Sequence, residues 1–174
     1  MFGFLKKSLV ARPPAARAAP PVPVDAETYA TQLAAILSQH TYHGASQIRA
    51  ALANLPPKTR DMHIGIHPGQ DGAGMFSVMI HLGGPDIYVL NKAIKDHRYL
   101  FDIRYMDGRL NVSVPLFDPD EVAFCVNDVI ADASVAWVRD LWAQAGRTHP
   151  DLPVMVFCED DYGHTPVWLQ GEPQ

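Results

Sequence analysis

The chain has 174 residues, 48% of them apolar and 19% charged, with a formal net charge of −5. Such a composition is too apolar for general disorder, and no run of about 18 apolar residues predicts a membrane-spanning helix. Residues 1–24 hold Lys6, Lys7, Arg12 and Arg17 and no acid, so residues 25–174 hold the other 10 Lys+Arg against 19 Asp+Glu, a balance of −9. That balance speaks against nucleic acid as a partner, because duplex binding rests on cationic neutralisation of phosphates.

Residues 1–24 read as a basic Pro/Ala-rich tail ahead of a single domain spanning 25–174. Prolines at 13, 14, 20, 21 and 23 fix φ and lack donor N–H groups, which predicts an extended linker. Phe2, Phe4, Leu5, Lys6 and Lys7 combine aromatic and cationic side chains. That chemistry suits a peripheral anchor at an anionic inner-membrane surface, or a short motif for a protein groove. The order of charges and apolar residues does not match a secretory signal, whereas an Arg-rich, acid-free stretch does suit a eukaryotic transit peptide.

Asp25 predicts a helix N-cap, with Tyr29, Leu33, Ile36 and Leu37 at helical spacing as far as Gln39. A break is expected over His40–Gly44, then a second helix from Ala45 to the Pro56–Pro57 stop. The period then becomes two. Met62, Ile64 and Ile66 alternate with His63, Gly65 and His67, and Phe76, Val78, Ile80 and Leu82 alternate with Met75, Ser77, Met79 and His81. Two strands around a glycine-rich loop predict a hairpin with one buried face. The loop, Gly69 to Gly74, lacks the ending of a phosphate loop and joins two strands, so it is not read as one.

A short helix follows Gly83–Asp86, with Ile87, Leu90 and Ile94 as its apolar stripe and Lys92 and Lys95 outward. Tyr99–Tyr105 and Leu110–Val114 predict a second hairpin across Asp107–Gly108. A short strand is expected at Val122–Val126. The longest helix should start from a cap at Asn127 or Asp128, bury Ile130, Ala133, Trp137 and Leu141, and stop at Gly146. Strands are expected at Pro153–Cys158 and Thr165–Leu169. The order α-α-β-β-α-β-β-α-β-β predicts an α+β two-layer domain, mainly antiparallel, with its helices on one face. Cys125 and Cys158 have apolar neighbours and no CxxC spacing, so both should be buried, reduced thiols and the chain cytoplasmic.

No catalytic set and no cofactor are expected. Pairing the first two strands about Asp71 sets His63 opposite Met79 and Asp61 opposite His81. Asp61, His63 and His81 then form the outside candidate for a zinc or iron site, with His63 diagonal to His81. Glu159, Asp160, Asp161 and His164, after a buried strand, form a second cluster suited to acid–base or divalent-ion chemistry, although Asp-Asp-Tyr-Gly is also ordinary turn chemistry. Asp118, Asp120 and Glu121 offer an acidic docking loop, and Trp142, one step off its helix's core stripe, a surface anchor.

The runs His67–Gly72, Phe76–Val78, Gly84–Asn91 and Pro115–Asp118 resemble an uncharacterised family of small bacterial domains over about Asp25 to Leu169. That resemblance implies a bacterial source and a single domain and transfers no site. The expectation for function is a non-catalytic protein-binding module of immunity, adaptor or inhibitor type. It would meet a basic partner through Asp118, Asp120, Glu121, Trp142, Asp160 and Asp161. The alternatives are a small metal-dependent enzyme using Asp61, His63 and His81 or the Glu159–His164 cluster, and a peripheral membrane protein attached through Phe2–Lys7.

Overall fold

The computed structural model describes residues 21–69, 73–146 and 148–171. The tail residues Phe2, Phe4, Leu5, Lys6 and Lys7 lie outside the described residues, as does the centre of the glycine-rich loop. Helix α1 (Ala26–Ser38) starts as its sequence predicts: the Asp25 carboxylate accepts from the Thr28 amide at 2.8 Å and from the Thr28 hydroxyl at 2.9 Å. Tyr29, Leu33 and Leu37 form its buried edge.

Helix α2 (Thr41–Ala53) begins four residues before its expected start, so no loop interrupts His40–Gly44. Tertiary packing overrides the local signal here. A Cβ at Gly44 would stand 2.7 Å from Leu141 and 3.1 Å from the Trp137 ring, so the bare backbone lets α2 sit directly against the longest helix. Trp137 Nε1 donates to the Thr41 hydroxyl at 3.2 Å and ties the helix start to the same place.

Strands β1 (Asp61–Pro68) and β2 (Phe76–Gly83) pair antiparallel, as the alternation requires. The register differs by two residues from the expected one: His63 faces His81 and Asp61 faces Gly83. An even shift leaves every side chain on its expected face, since the side-chain period is two. Helix α3 (Ile87–Ala93) buries Leu90, but Ile87, expected on the core stripe, is exposed. Asn91 stands in for a strand neighbour of β2: its Oδ1 accepts from the Leu82 amide at 3.0 Å and its Nδ2 donates to the Leu82 carbonyl at 2.9 Å.

Strand β3 (Tyr99–Asp102) joins β2 in place of running on into a long second hairpin. Only β4 (Tyr105–Met106) and β5 (Arg109–Leu110) pair across Asp107–Gly108, whose φ values are 51° and 75°. Asn111 closes this small unit, accepting from the Arg104 amide at 2.7 Å and donating to the Asp102 carbonyl at 2.8 Å. No strand forms at 122–126. A 3₁₀ turn at Pro119–Glu121 occupies the approach, and α4 (Val126–Ala145) starts from Cys125 rather than from Asn127 or Asp128.

After α4, β6 (Val154–Cys158) pairs parallel with β1, and β7 (Val167–Gln170) pairs antiparallel with β6. The sheet order is β3-β2-β1-β6-β7, an α+β architecture with a mainly antiparallel sheet. Met62, Ile64 and Ile66, with Val78, Ile80 and Leu82 and with Val154, Val156 and Cys158, point to one side and are buried there. Helix α4 covers that side, with α1 and α2 packed against it.

Two expectations are corrected. Trp142 is not a surface anchor: it is 6% exposed, because the inner face of α4 is wide enough to bury neighbouring positions such as Leu141 and Trp142 together. Cys125 is exposed at the start of α4, whereas Cys158 is buried and both thiols are free. Burial pushes the Cys158 thiol up to about 12, which keeps it protonated and unreactive at neutral pH. A chromogenic disulfide reagent at pH 8 should therefore label one thiol rapidly in the folded chain. The second should react only on addition of denaturant, and Cys125→Ser should remove the fast phase alone.

Candidate functional site

Alternation in the three central strands sends a second set of residues away from the helices: His63, Gly65 and His67 on β1, Ser77, Met79 and His81 on β2, and Met155 and Phe157 on β6. All but Gly65 are half-buried side chains, and the rings of His63, His67 and His81 each lie within 6.3 Å of the Phe157 ring, on the side of the sheet away from α4. Gly65 is at the centre, paired with Met79 on one side and Phe157 on the other. A Cβ there would stand 2.5 Å from His67 Nε2, 2.8 Å from Phe157 Cζ and 3.0 Å from His81 Nε2. The missing side chain is thus the space into which three rings lean.

Across that space His67 Nε2 and His81 Nε2 approach to 3.0 Å, although their strand positions are four residues apart in register. The other ring nitrogens are also engaged. His67 Nδ1 is 3.1 Å from Glu159 Oε2, and His81 Nδ1 is 3.3 Å from Arg98 Nη2. Arg98 in turn donates through Nε to the Ile80 carbonyl at 3.1 Å.

One arrangement of protons satisfies every contact. A guanidinium only donates, so His81 Nδ1 accepts and its proton sits on Nε2. That proton is given to His67 Nε2, which leaves His67 with Nδ1–H to donate to the Glu159 carboxylate. The result is a directed chain, Arg98 to His81 to His67 to Glu159, running from the approach to β3 across β2 and β1 to the residue after β6. Burial lowers the His81 imidazole to about 4, with the charges of His67, Arg98 and His63 acting in the same direction and Glu159 opposing them. The cause is consistent with the geometry, because a second proton on His81 would point at Arg98.

The sequence-predicted residues are partly brought together. His63 Nε2 is 3.3 Å from Asp61 Oδ1, an ion-pair separation without hydrogen-bond alignment. His81 faces His63 across the strands but turns its nitrogens to His67 and Arg98. In this arrangement His81 Nε2 is a donor and presents no lone pair to a metal. Among the described residues no group of three or more His, Cys, Asp or Glu gathers around one point as metal ligands do.

The Glu159–His164 cluster is divided. Glu159 meets His67, whereas His164 meets Asp132 of α4, with Nδ1 to Oδ2 at 3.0 Å and its amide donating to Oδ1 at 2.8 Å. Asp128 accepts from the Gly163 amide at 2.8 Å, so α4 holds this loop from below. Asp160 and Asp161 are left exposed at its tip, both with left-handed φ near 60°. Asp118 caps the Pro119–Glu121 turn through the Asp120 amide at 3.2 Å, and Asp120 and Glu121 are exposed on that separate turn. Sequence reasoning missed Gly65, Phe157 and Arg98. A lone glycine at an outward position of an otherwise regular strand was the available signal for the first.

Fold and site together define a two-layer α+β domain with one helix-covered sheet face and one open face carrying a buttressed histidine pair. The chain belongs to a family of unknown function (DUF6389), whose model matches residues 24–170, from the residue before the Asp25 cap to the end of β7. No curated protein and no solved structure matches the chain.

Because the folded chain keeps His81 neutral below the ordinary value of 6.5, the unfolded chain takes up an extra proton between about pH 6.5 and 4. Stability from this group is complete above pH 6.5 and is lost as pH falls through 4, by about 1–2 kcal/mol once solvent screening is allowed for. Urea melts at pH 7 and pH 4.5 should show this loss, and His81→Leu should shrink it. Gly65→Ala should lower stability at pH 7 by about 1–3 kcal/mol, since three ring tips must move and the contact between the histidines is broken. It should separate the histidines, read as an upward move of the His81 titration in NMR.

Proposed function

We propose that this chain is a cytoplasmic, non-catalytic binding module that docks a protein partner on its open sheet face. The observation that carries the reading is the sheet face turned away from α4: Met79, Met155 and Phe157, each still partly open to solvent, share it with the histidine chain. A patch of aromatic, methionine and histidine side chains is the composition of an interface centre, where charged residues are few and rings and sulfur are enriched.

The chemistry of the rim gives the partner its character. Glu159 is at one corner of the face and the exposed Asp160 and Asp161 continue from it, within a domain whose balance over residues 25–174 is −9. A partner with an apolar centre and a basic border fits both features, the border adding mostly to the rate of encounter. Asp120 and Glu121, on a turn of their own, would extend that field rather than touch the same partner surface.

Two features favour binding over catalysis. The histidine pair uses all four of its ring nitrogens inside the chain, which leaves none free to abstract a substrate proton. A cleft of about 490 Å³ among the described residues lies away from this pair, between Arg139, Trp142 and Trp168.

The test is capture at low salt with full-length protein and two charge variants. Phe157→Glu, which places a charge at the centre of the face, should abolish recovery of the wild-type partner, a loss of more than about tenfold in affinity. Asp160→Lys with Asp161→Lys should weaken recovery mainly at low salt. A partner retained equally by wild type and Phe157→Glu would remove the sheet face from consideration. Stoichiometric zinc or iron in the purified protein, lost in His67→Ala, would replace this reading with a metalloenzyme.

A further inference from the structure

A second surface, at the opposite chemical extreme from the acidic rim, is built around α3. Leu90 is the residue of this helix that is buried, and Ile94 follows it into the core. The three residues before Leu90 are apolar and open to solvent: Ile87 is 64% exposed, Tyr88 74% and Val89 56%. Successive helical positions turn by about 100°, so three in a row cover most of the first turn apart from the Leu90 side. Consecutive exposed Ile, Tyr and Val are uncommon on a surface that only has to be solvated, and such patches mark contact sites.

Cations also stand beside this turn. Lys92, four residues after Tyr88, shares its side of α3, and Lys95 opens the 3₁₀ turn that follows the helix; both lysines are exposed. Lys58 and Arg60, also exposed, precede β1 on a segment that runs beside the entry to α3. The Arg60 amide donates to the Gly83 carbonyl at 3.0 Å, and the Lys58 carbonyl would stand 2.6 Å from a Cβ at Gly84. Four of the ten cations of residues 25–174 therefore border one apolar turn. The acids of the same stretch are Asp61, which pairs opposite Gly83, Asp86, whose carboxylate accepts from the Val89 amide at 3.3 Å, and Asp96. Four cations against three acids still leave this corner slightly positive on a domain that is negative as a whole.

We infer that the α3 corner is a docking surface for an anionic lipid bilayer, with Ile87, Tyr88 and Val89 entering the headgroup layer and Lys58, Arg60, Lys92 and Lys95 meeting lipid charge. The apolar element is a convex helical turn, not a groove, which suits a deformable interface better than a rigid protein partner. Tyrosine with long flexible lysines is the side-chain set that straddles such a boundary, ring or stem inward and polar end in water. A single weak element gives only reversible attachment, and stable attachment takes two. The sequence of the N-terminal tail, with Phe2, Phe4, Leu5, Lys6 and Lys7, has the same chemistry and would provide the second.

Co-sedimentation of full-length protein with phosphatidylcholine vesicles, with and without phosphatidylserine, tests this. The wild type should sediment only with the anionic vesicles and be released by salt. Tyr88→Glu combined with Val89→Glu should lower the vesicle partition coefficient at least about tenfold, as should Lys92→Glu with Lys95→Glu, and all should keep the wild-type thermal midpoint because these positions are exposed. Phe2→Ser with Phe4→Ser should give a partial loss, and Phe157→Glu none, which separates this surface from the sheet face. Anionic binding that survives Tyr88→Glu with Val89→Glu would assign attachment to the tail alone and overturn the inference. Absence of phosphatidylserine-dependent sedimentation would also overturn it, as would an oligomer that dissociates in the same variant without any vesicle binding.

Discussion

Between β2 and β6, strand β1 has no free edge: an antiparallel ladder runs along one side from Asp61 to Pro68 and a parallel one along the other from Met62 to Ile66. With both ladders closed, each of its side chains is committed to one face or the other, and a slip of one residue would exchange the faces entirely. Met62, Ile64 and Ile66 are thereby held under α4, and His63, Gly65 and His67 on the open side. The apolar core and the histidine chain are two consequences of the same double pairing.

The open face gets its chemistry from what is missing at its centre. With any side chain at position 65, His67, His81 and Phe157 would be driven apart, and the four-member chain from Arg98 to Glu159 would be cut in the middle. His81 has a donor on one side of its ring and an acceptor on the other, so a second proton there would have to break the contact with Arg98 before it could be accommodated.

The charged surface is sorted in space as well as in number. Acids dominate around the end of β6, where Asp128 and Asp132 hold the 159–164 loop and Asp160 and Asp161 project from it. Cations gather at α3 and the segment before β1, beside the most exposed apolar turn. The domain thus has two chemically unlike surfaces, an acid-rimmed sheet face and an apolar corner bordered by cations.

Much of this was written in local sequence. The period-two alternation from Met62 to Leu82 determined the hairpin and which face would be dry, because strand side chains alternate whatever the register. Asp25 as a cap, the Asp107–Gly108 turn and the Gly146 stop were legible for the same reason, each being chemistry between near neighbours. Contacts between distant segments were not legible. That β6 lies parallel against β1, that Gly44 lets a helix continue through a predicted break, that Trp142 is inside and Cys125 outside, and that Arg98 and Glu159 finish a chain begun by His67 and His81 all depend on which surfaces meet after the chain has folded back. No periodicity records such meetings, since spacing along a chain limits which side a residue can take but not what it will find there.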